Sequence, residues 1–497
     1  MNAELAKRLC PCLILMFSSI FSHATHIRAA ELAYRSISDQ FYIYEFTLTG
    51  YADTGSPVRF GDGIIDFGDG QSANLGDEAN SYHYELLGEN NETERYLIKI
   101  IHTYVASGQY TVSYHEPNRN DEIVNINKGN SVQTPFHLEA SLVIDPLIGP
   151  NSSPILNSFA IDRGFTGKIF SHNPWAWDTE GDSLVYRLLT PLQDQGQEVP
   201  NFELPDDPDF YIPPFNYNSG NEDGSGPAVF EIDPLTGDLW WDAPGNLFQN
   251  SQGEYSEYNV AFLVEEWRKV EGTWRRIGHI TRDMQIIITG QEISRPDFQI
   301  PGETLLFESE TVQETITFKD PGGDPIKVEF FGEVFELTSN PMTINTVPED
   351  FVSGPLALTF EWTPLPEHAR DRPYFVHLKI TDDPADPEVR PAVTYKTWIL
   401  SFSELPDVIT SLPGEQEETE FLLYPNPTTD WLAWRLERND REIRNLTIYN
   451  SLGQQTFSAE LTSYGVREID ISRFPSGWYL VELATDTKLY RKPFIKK

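Results

Sequence analysis

Two short acidic turns carry the residue types best suited to holding a cation. Asp178-Thr-Glu180-Gly181-Asp182 and Asp320-Pro-Gly-Gly323-Asp324 share the pattern Asp-x-x-Gly-Asp-x-aliphatic. Calcium takes about six to eight oxygen ligands, and a glycine-bent acidic turn can supply two or three of them beside a neighbouring domain edge. Asp178, Asp182, Asp320 and Asp324 are therefore the candidate metal ligands, for calcium, and no other cofactor is expected. The second turn lacks an acid matching Glu180, and 76 acidic residues bring such pairs together by chance, so a plain strand turn is the competing reading. Trp240 and Trp241 are the candidate ligand platform. Adjacent strand residues point to opposite faces, so only one of the two can enter its own core. The other is free to line a glycan- or protein-binding face or to cover a domain interface.

Catalytic chemistry finds little to work with. Beyond residue 24 there is no cysteine, and the chain has no Gly-x-Ser-x-Gly and no His-Glu-x-x-His. His172, His279, His368 and His377 fall at no ligand spacing. A glycosidase needs only two carboxylates, which so acidic a chain could hide. However, every long segment parses as a small sandwich, which leaves no catalytic domain of ordinary size, and no enzyme is expected.

The elements that must position these residues are strands. A length of 497 residues accommodates three or four domains. The net charge of −40 excludes a nucleic-acid partner, whose phosphates demand a basic surface, and disfavours an anionic membrane. Lys7-Arg8, an apolar run from Leu9 to Ile20, and Ser22-His23-Ala24 read as a secretory signal peptide over 1–24. Both cysteines lie inside it and neither sits in a lipoprotein box. No later segment has the ~18 apolar residues of a transmembrane helix.

Residues 25–149 alternate with period two, as in Phe41-Tyr-Ile43-Tyr-Glu45-Phe. Asp66-Phe-Gly68-Asp69-Gly70 reads as a tight hairpin, since glycine supplies the positive φ. With His102-Thr-Tyr104 and Gly108-Gln-Tyr110-Thr-Val112 it resembles the PKD domain, an extracellular immunoglobulin-like sandwich. Residues 150–292 open on the linker-like Pro150-Asn-Ser-Ser-Pro154. They contain the first acidic turn, the hairpin Asp233-Pro-Leu-Thr-Gly237, and a long hairpin around Glu271-Gly272. This unit resembles a cadherin-like domain, in which related turns bind calcium at domain junctions. Residues 293–404 repeat the pattern, with Phe360-Glu-Trp362 standing for Leu239-Trp240 and Tyr374 to Ile380 for Tyr258 to Phe262. An internal duplication follows. Residues 405–420 are an acidic, Pro/Gly-containing linker.

Residues 421–497 differ in charge, with 11 basic against 9 acidic residues. They contain Tyr424-Pro425-Asn426-Pro427, Gly453 after a short strand, and Gly477-Trp-Tyr479-Leu-Val, and they end in a basic stretch that includes Lys492. In this order the segments resemble the type A sorting domain of the type IX secretion system. The resemblance implies a role for Tyr424, Pro425, Asn426, Pro427, Gly453, Gly477, Tyr479 and Lys492 in the sorting signal. It also implies recognition by outer-membrane secretion machinery and passage through the periplasm of a Gram-negative bacterium to the cell surface or beyond. The upstream layout resembles surface proteins exported by that route, some associated with gliding.

The sequence therefore predicts an all-β chain of tandem immunoglobulin-like sandwiches: one PKD-like, two cadherin-like and a small C-terminal sandwich. It is expected to act in adhesion or interaction on an extracellular glycan or protein. A carbohydrate-binding accessory protein and a cryptic extracellular hydrolase are the alternatives.

Overall fold

Period-two alternation broken by Gly, Pro, Asn and Asp yields strands along the whole chain. The structure, a computed structural model, describes residues 27–496 except 39–41, 55–59, 77–82, 91–92, 248–254, 292, 307–309, 371, 387, 403–420, 425–427, 437–442, 451–454, 461–467, 476 and 486–488. The expected signal peptide and acidic linker lie outside the described residues. Among those residues helical structure is limited to three-residue 3-10 turns, and no helix is long and apolar enough to cross a membrane.

The first unit comprises β1 (Ile27–Ser38), β2 (Ile43–Asp53), β3 (Ile64–Asp66), β4 (Ser72–Asn74), β5 (His83–Asn90), β6 (Thr93–Thr103), β7 (Gly108–Glu116) and β8 (Phe136–Ile144). They form two antiparallel layers, β1-β2-β6-β5 and β4-β3-β7-β8. The β3–β4 turn shows why its residues are needed. Gly68 and Gly70 take φ of 76° and 87°. Asp69 Oδ2 lies 2.9 Å from His102 Nε2, the His102 ring stacks on Phe67 at 3.9 Å, and the Tyr104 hydroxyl donates to the Phe67 carbonyl at 2.9 Å. His102 and Tyr104 thus lock the hairpin from the opposite layer.

The second unit comprises β9 (Ile155–Leu156), β10 (Ile161–Phe165), β11 (Phe170–His172), β12 (Ala176–Trp177), β13 (Ser183–Leu189), β14 (Leu192–Asp194), β15 (Gln197–Glu198), β16 (Val229–Ile232), β17 (Leu239–Asp242), β18 (Tyr255–Val270) and β19 (Thr273–Thr289). Glu271 and Gly272, with φ of 50° and 76°, make the two-residue turn between β18 and β19.

The expected boundary at residues 149/150 does not separate two independent sandwiches. One edge of β19 pairs in succession with β8 (Ile280 opposite Ala140), β1 (Asp283 opposite Ala30) and, in parallel, β10 (Gln285 opposite Ile161). The layers of the first unit are therefore joined through a strand of the second, and one hydrophobic core runs from Ile27 to Ile288. The seam is polar. Arg282 donates from Nε and Nη2 to Glu31 at 2.8 and 2.5 Å, Arg119 pairs with Asp283 at 2.8 Å and with Asn259 at 2.8 Å, and Arg28 pairs with Glu257 at 3.1 Å.

The third unit has its own core around Trp362, Trp398, Phe318 and Phe360. Its strands are β20 (Asp297–Phe298), β21 (Thr304–Leu306), β22 (Val312–Lys319), β23 (Ile326–Phe331), β24 (Thr343–Ile344), β25 (Leu356–Trp362), β26 (Tyr374–Asp382) and β27 (Val393–Phe402). They are layered as β20-β22-β25-β24 over β21-β27-β26-β23. The last unit comprises β28 (Phe421–Tyr424), β29 (Trp431–Leu436), β30 (Ile443–Asn450), β31 (Gln455–Glu460), β32 (Glu468–Asp470), β33 (Gly477–Thr485) and β34 (Leu489–Lys496). It packs β28-β29-β32 on β31-β30-β33-β34 around Trp434, Ile448 and Val481. The chain is thus all-β, a tandem of immunoglobulin-like sandwiches whose first two share a sheet.

Candidate functional site

The two acidic turns are built alike. Asp178 Oδ1 accepts the Asp182 N–H at 2.7 Å and Asp320 Oδ1 accepts the Asp324 N–H at 3.1 Å. Gly181 and Gly323 take φ of 83° and 90°, which only glycine adopts without strain. Each turn feeds a strand whose second residue past the turn faces an acid on its neighbour: Leu184 lies opposite Glu266, and Ile326 opposite Asp382. Each copy of the turn therefore meets a third carboxylate across the sheet, which local spacing in the sequence could not reveal.

In the first copy Asp178, Asp182 and Glu266 bring oxygens within 4.8 Å of one another. Arg268 meets them. Its Nε and Nη2 donate to the two Asp182 oxygens at 2.7 and 2.5 Å, Nη2 also reaches Asn151 at 2.7 Å, and Nη1 reaches the Pro150 carbonyl at 3.0 Å. Glu266 accepts from the Tyr34 hydroxyl at 2.9 Å and Asn151 at 3.0 Å, and burial pushes its carboxyl well up. Burial, then Asp182, push Asp178 up to about 6. Asp182 thus has both oxygens engaged by a guanidinium rather than open to a metal ion. Arg268→Gln is expected to lower stability by about 2 kcal/mol, the worth of hydrogen bonds to a charged group, measured by urea unfolding. Millimolar calcium should restore part of that loss by taking the guanidinium's place, and the absence of any recovery would count against these acids as ligands.

The second copy has no arginine in this role, and its three acids are not gathered within 4.8 Å among the described residues. Burial, then Asp320 and Asp324, push Asp382 up to about 7. Unfolded, the same group releases its proton near about 3.9. Its stabilising contribution is therefore full below about pH 4 and is lost as pH rises through about 7. The third sandwich should melt higher at about pH 5 than at about pH 8. Melting curves of Asp382→Asn should lose most of that difference.

Trp241, expected as half of a ligand platform, is 0% exposed. Its indole donates to the Tyr211 hydroxyl at 2.9 Å and packs edge-on against Tyr258, so it belongs to the core. Trp240 is half-buried, opposite Ser171 on one neighbour and Glu231 on the other. Phe360-Glu-Trp362 already held the clue: Phe360 and Trp362 are buried in the third unit and Glu361 points outward, in the slot of Trp240.

An aromatic cleft instead opens where the second and third units meet. Trp177, Tyr186, Phe331 and Phe375 wall a cavity of about 50 Å³, with Asp178, Asp182, Glu333 and Arg372 among its polar lining. Trp175 stacks on Phe331 at 5.9 Å and Trp177 meets it edge-on at 5.8 Å. Arg372 pairs with Glu333 at 2.9 Å, and its Nη2 lies 3.4 Å from where a Cβ on Gly181 would stand. The Tyr395 N–H donates to Ser171 at 2.8 Å and the Thr397 hydroxyl to Asp238 at 2.8 Å, fixing the two units side by side.

Two serine–histidine contacts were missed in sequence. Ser158 Oγ lies 3.4 Å from His172 Nε2, whose Nδ1 lies 2.7 Å from Asp162. His172 is wholly buried and Ser158 Oγ accepts from Arg282 at 2.9 Å, so the serine anchors an arginine. Ser339 borders an open hollow of about 430 Å³ and donates to Glu367 at 2.7 Å. His368 Nδ1 accepts the Leu365 N–H at 3.1 Å, so Nε2 must carry the proton it presents to Ser339 at 3.3 Å. That imidazole has no lone pair left to act as a base.

Of the expected sorting residues, Pro425, Asn426, Pro427 and Gly453 lie outside the described residues. Tyr424 ends β28 and Gly477 begins β33. The Tyr479 hydroxyl donates to the Pro475 carbonyl at 2.8 Å and its ring stacks on Phe494 at 5.3 Å, while Lys492 pairs with Val481 across the sheet. The β28-β29-β32 layer docks on the second unit. Trp431 and Ala433 join Val185 and Trp267 in one apolar cluster, with Leu235 and Trp274 packed against it. Arg187 sits over the Trp431 ring at 5.2 Å and pairs with Glu468 at 3.0 Å.

No curated protein matches the chain. Solved structures similar to it include the insect immune protein hemolin (11% identity, 94% of this chain and 99% of that one, TM-score 0.17). Others are the sialic acid binding region of a Streptococcus sanguinis SK1 adhesin (12%, 53% and 81%, TM-score 0.17) and human protocadherin-24 EC1-2 (14%, 52% and 100%, TM-score 0.15). Residues 422–497 match the family described as the secretion system C-terminal sorting domain. The chain is thereby a secreted cargo of the type IX secretion system, addressed to that machinery and to the cell surface or the space beyond it.

Proposed function

We propose that this chain is a non-catalytic adhesion or interaction protein that holds extracellular polymers at the junction of its second and third sandwiches. The observation that carries the reading is the group of aromatic rings at this junction beside carboxylates and a guanidinium, a cavity of about 50 Å³ that would take a projecting group of a polymer rather than a whole sugar ring. Aromatic faces stack on the apolar faces of sugars or on side chains while polar groups fix orientation. The more specific form is a carbohydrate-binding accessory protein, favoured by Trp177 and Phe331 in one small cavity. The hairpin locked by His102 and Tyr104 supports a PKD-like first unit. The repeated acidic turns support cadherin-like second and third units. The route is the periplasm of a Gram-negative bacterium, and the layout suits a surface protein of gliding cells.

The test is a glycan array together with capture of extracellular polymers by the full secreted chain. Binding is expected, weakened at least about tenfold by Trp177→Ala with Phe331→Ala, since the two rings supply much of the contact area. Wild-type chain that holds neither glycan nor surface protein, or that turns over polysaccharide or peptide pools, would overturn the reading.

A further inference from the structure

His115 and His137 stand directly opposite each other on the antiparallel pair β7 and β8. Their rings are 5.9 Å apart between centroids. On the other side of β8, β14 of the second unit pairs with the same residue, Leu192 opposite His137, and Asp194 follows two positions on, at the start of the hairpin into β15. One ligand atom from each of His115, His137 and Asp194 falls within 4.8 Å of the other two.

Three details give this cluster the form of a metal site. First, Nδ1 of both histidines is buried and has no hydrogen-bond partner. Leaving such a nitrogen unpaired costs about 1–3 kcal/mol, and an ion is one of the few things that explains two of them side by side. Second, His137 is only 4% exposed, and its other nitrogen, Nε2, lies 3.1 Å from Glu139 Oε1. A carboxylate accepting from Nε2–H fixes the tautomer in which Nδ1 keeps its lone pair, the arrangement that backs metal-bound imidazoles. Third, Asp194 is exposed, and one of its oxygens accepts the Gln195 N–H at 2.8 Å, leaving the second for a cation.

We propose that His115, His137 and Asp194 bind one divalent transition-metal ion of the zinc class, with a solvent-facing coordination position beside Asp194. Two imidazoles and one carboxylate suit zinc and exclude calcium and magnesium, which take oxygen ligands. The ion would pin the β14–β15 hairpin to the β7–β8 layer, a second clasp between the first two units some distance in sequence from the β19 seam.

The test uses the full secreted chain, untagged and stripped with a chelator, titrated with Zn²⁺ alone by calorimetry and with Co²⁺ by absorption. One equivalent of zinc is expected, with ligand-field bands from bound cobalt. Asp194→Asn, a surface change that leaves the fold intact, should weaken zinc at least about tenfold, and Glu139→Gln by about 10–100-fold, the usual cost of losing the carboxylate behind a metal-bound histidine. No zinc uptake by the wild-type chain, or equal affinity in all three proteins, would overturn the site.

Discussion

Glu31→Ala is expected to destabilise the joined first and second sandwiches by about 3–5 kcal/mol, the cost of stripping one partner from a buried ion pair. Arg282 is 0% exposed and gives Nε and Nη2 to Glu31, while Nη1 and Nη2 reach Ser158. A guanidinium cannot shed its charge when its partner is removed, so the whole desolvation cost falls on the folded state. Glu31 lies on β1 and Arg282 on β19, so the loss strikes both units at once. Hydrogen exchange should show the amides of β1, β8, β10 and β19 opening together in the variant. The third sandwich, with its separate core, should keep its protection. The double change Glu31→Leu with Arg282→Met should recover most of the stability, because apolar side chains of similar volume can replace a buried pair at little cost. If β1 opened while β10 stayed protected, the shared sheet would be the wrong description.

Removal of residues 421–497 should abolish delivery to the cell surface while leaving the upstream sandwiches folded. The tail has its own core, built from Trp434, Ile448, Val481 and Phe494, so its loss takes no apolar residue from the third sandwich. Cell fractionation should find the truncated chain in the periplasm, and its melting profile should retain the transitions of the other units. Truncated protein arriving outside in ordinary amounts would remove the basis for treating the tail as an export address.

Much of this architecture could be read in the sequence where local chemistry decides it. The Glu271-Gly272 turn, the Asp233 to Gly237 hairpin and the alternation that sends Trp240 and Trp241 to opposite faces all depend on residues within a few positions of each other. The seam could not be read this way. Arg119, Asp283, Arg282, Glu31 and Glu257 are charged residues inside strands, where a hydrophobicity pattern predicts solvent, and their partners are over a hundred positions away. The same limit hid Arg268 from the Asp178 turn, and His115, His137 and Asp194 from each other. Motif spacing detects ligands on one helix or one loop. Strand register brings together residues whose separations along the chain follow no rule.

With Trp431 and Glu468 pressed onto Trp267 and Arg187, the β28-β29-β32 layer of the label is engaged, and among the described residues the β31-β30-β33-β34 layer is the one turned away from the load. Should the label ever be detached, Trp267, Val185 and Trp274 would be bared together as a sticky spot, absent from the intact molecule and present only after delivery.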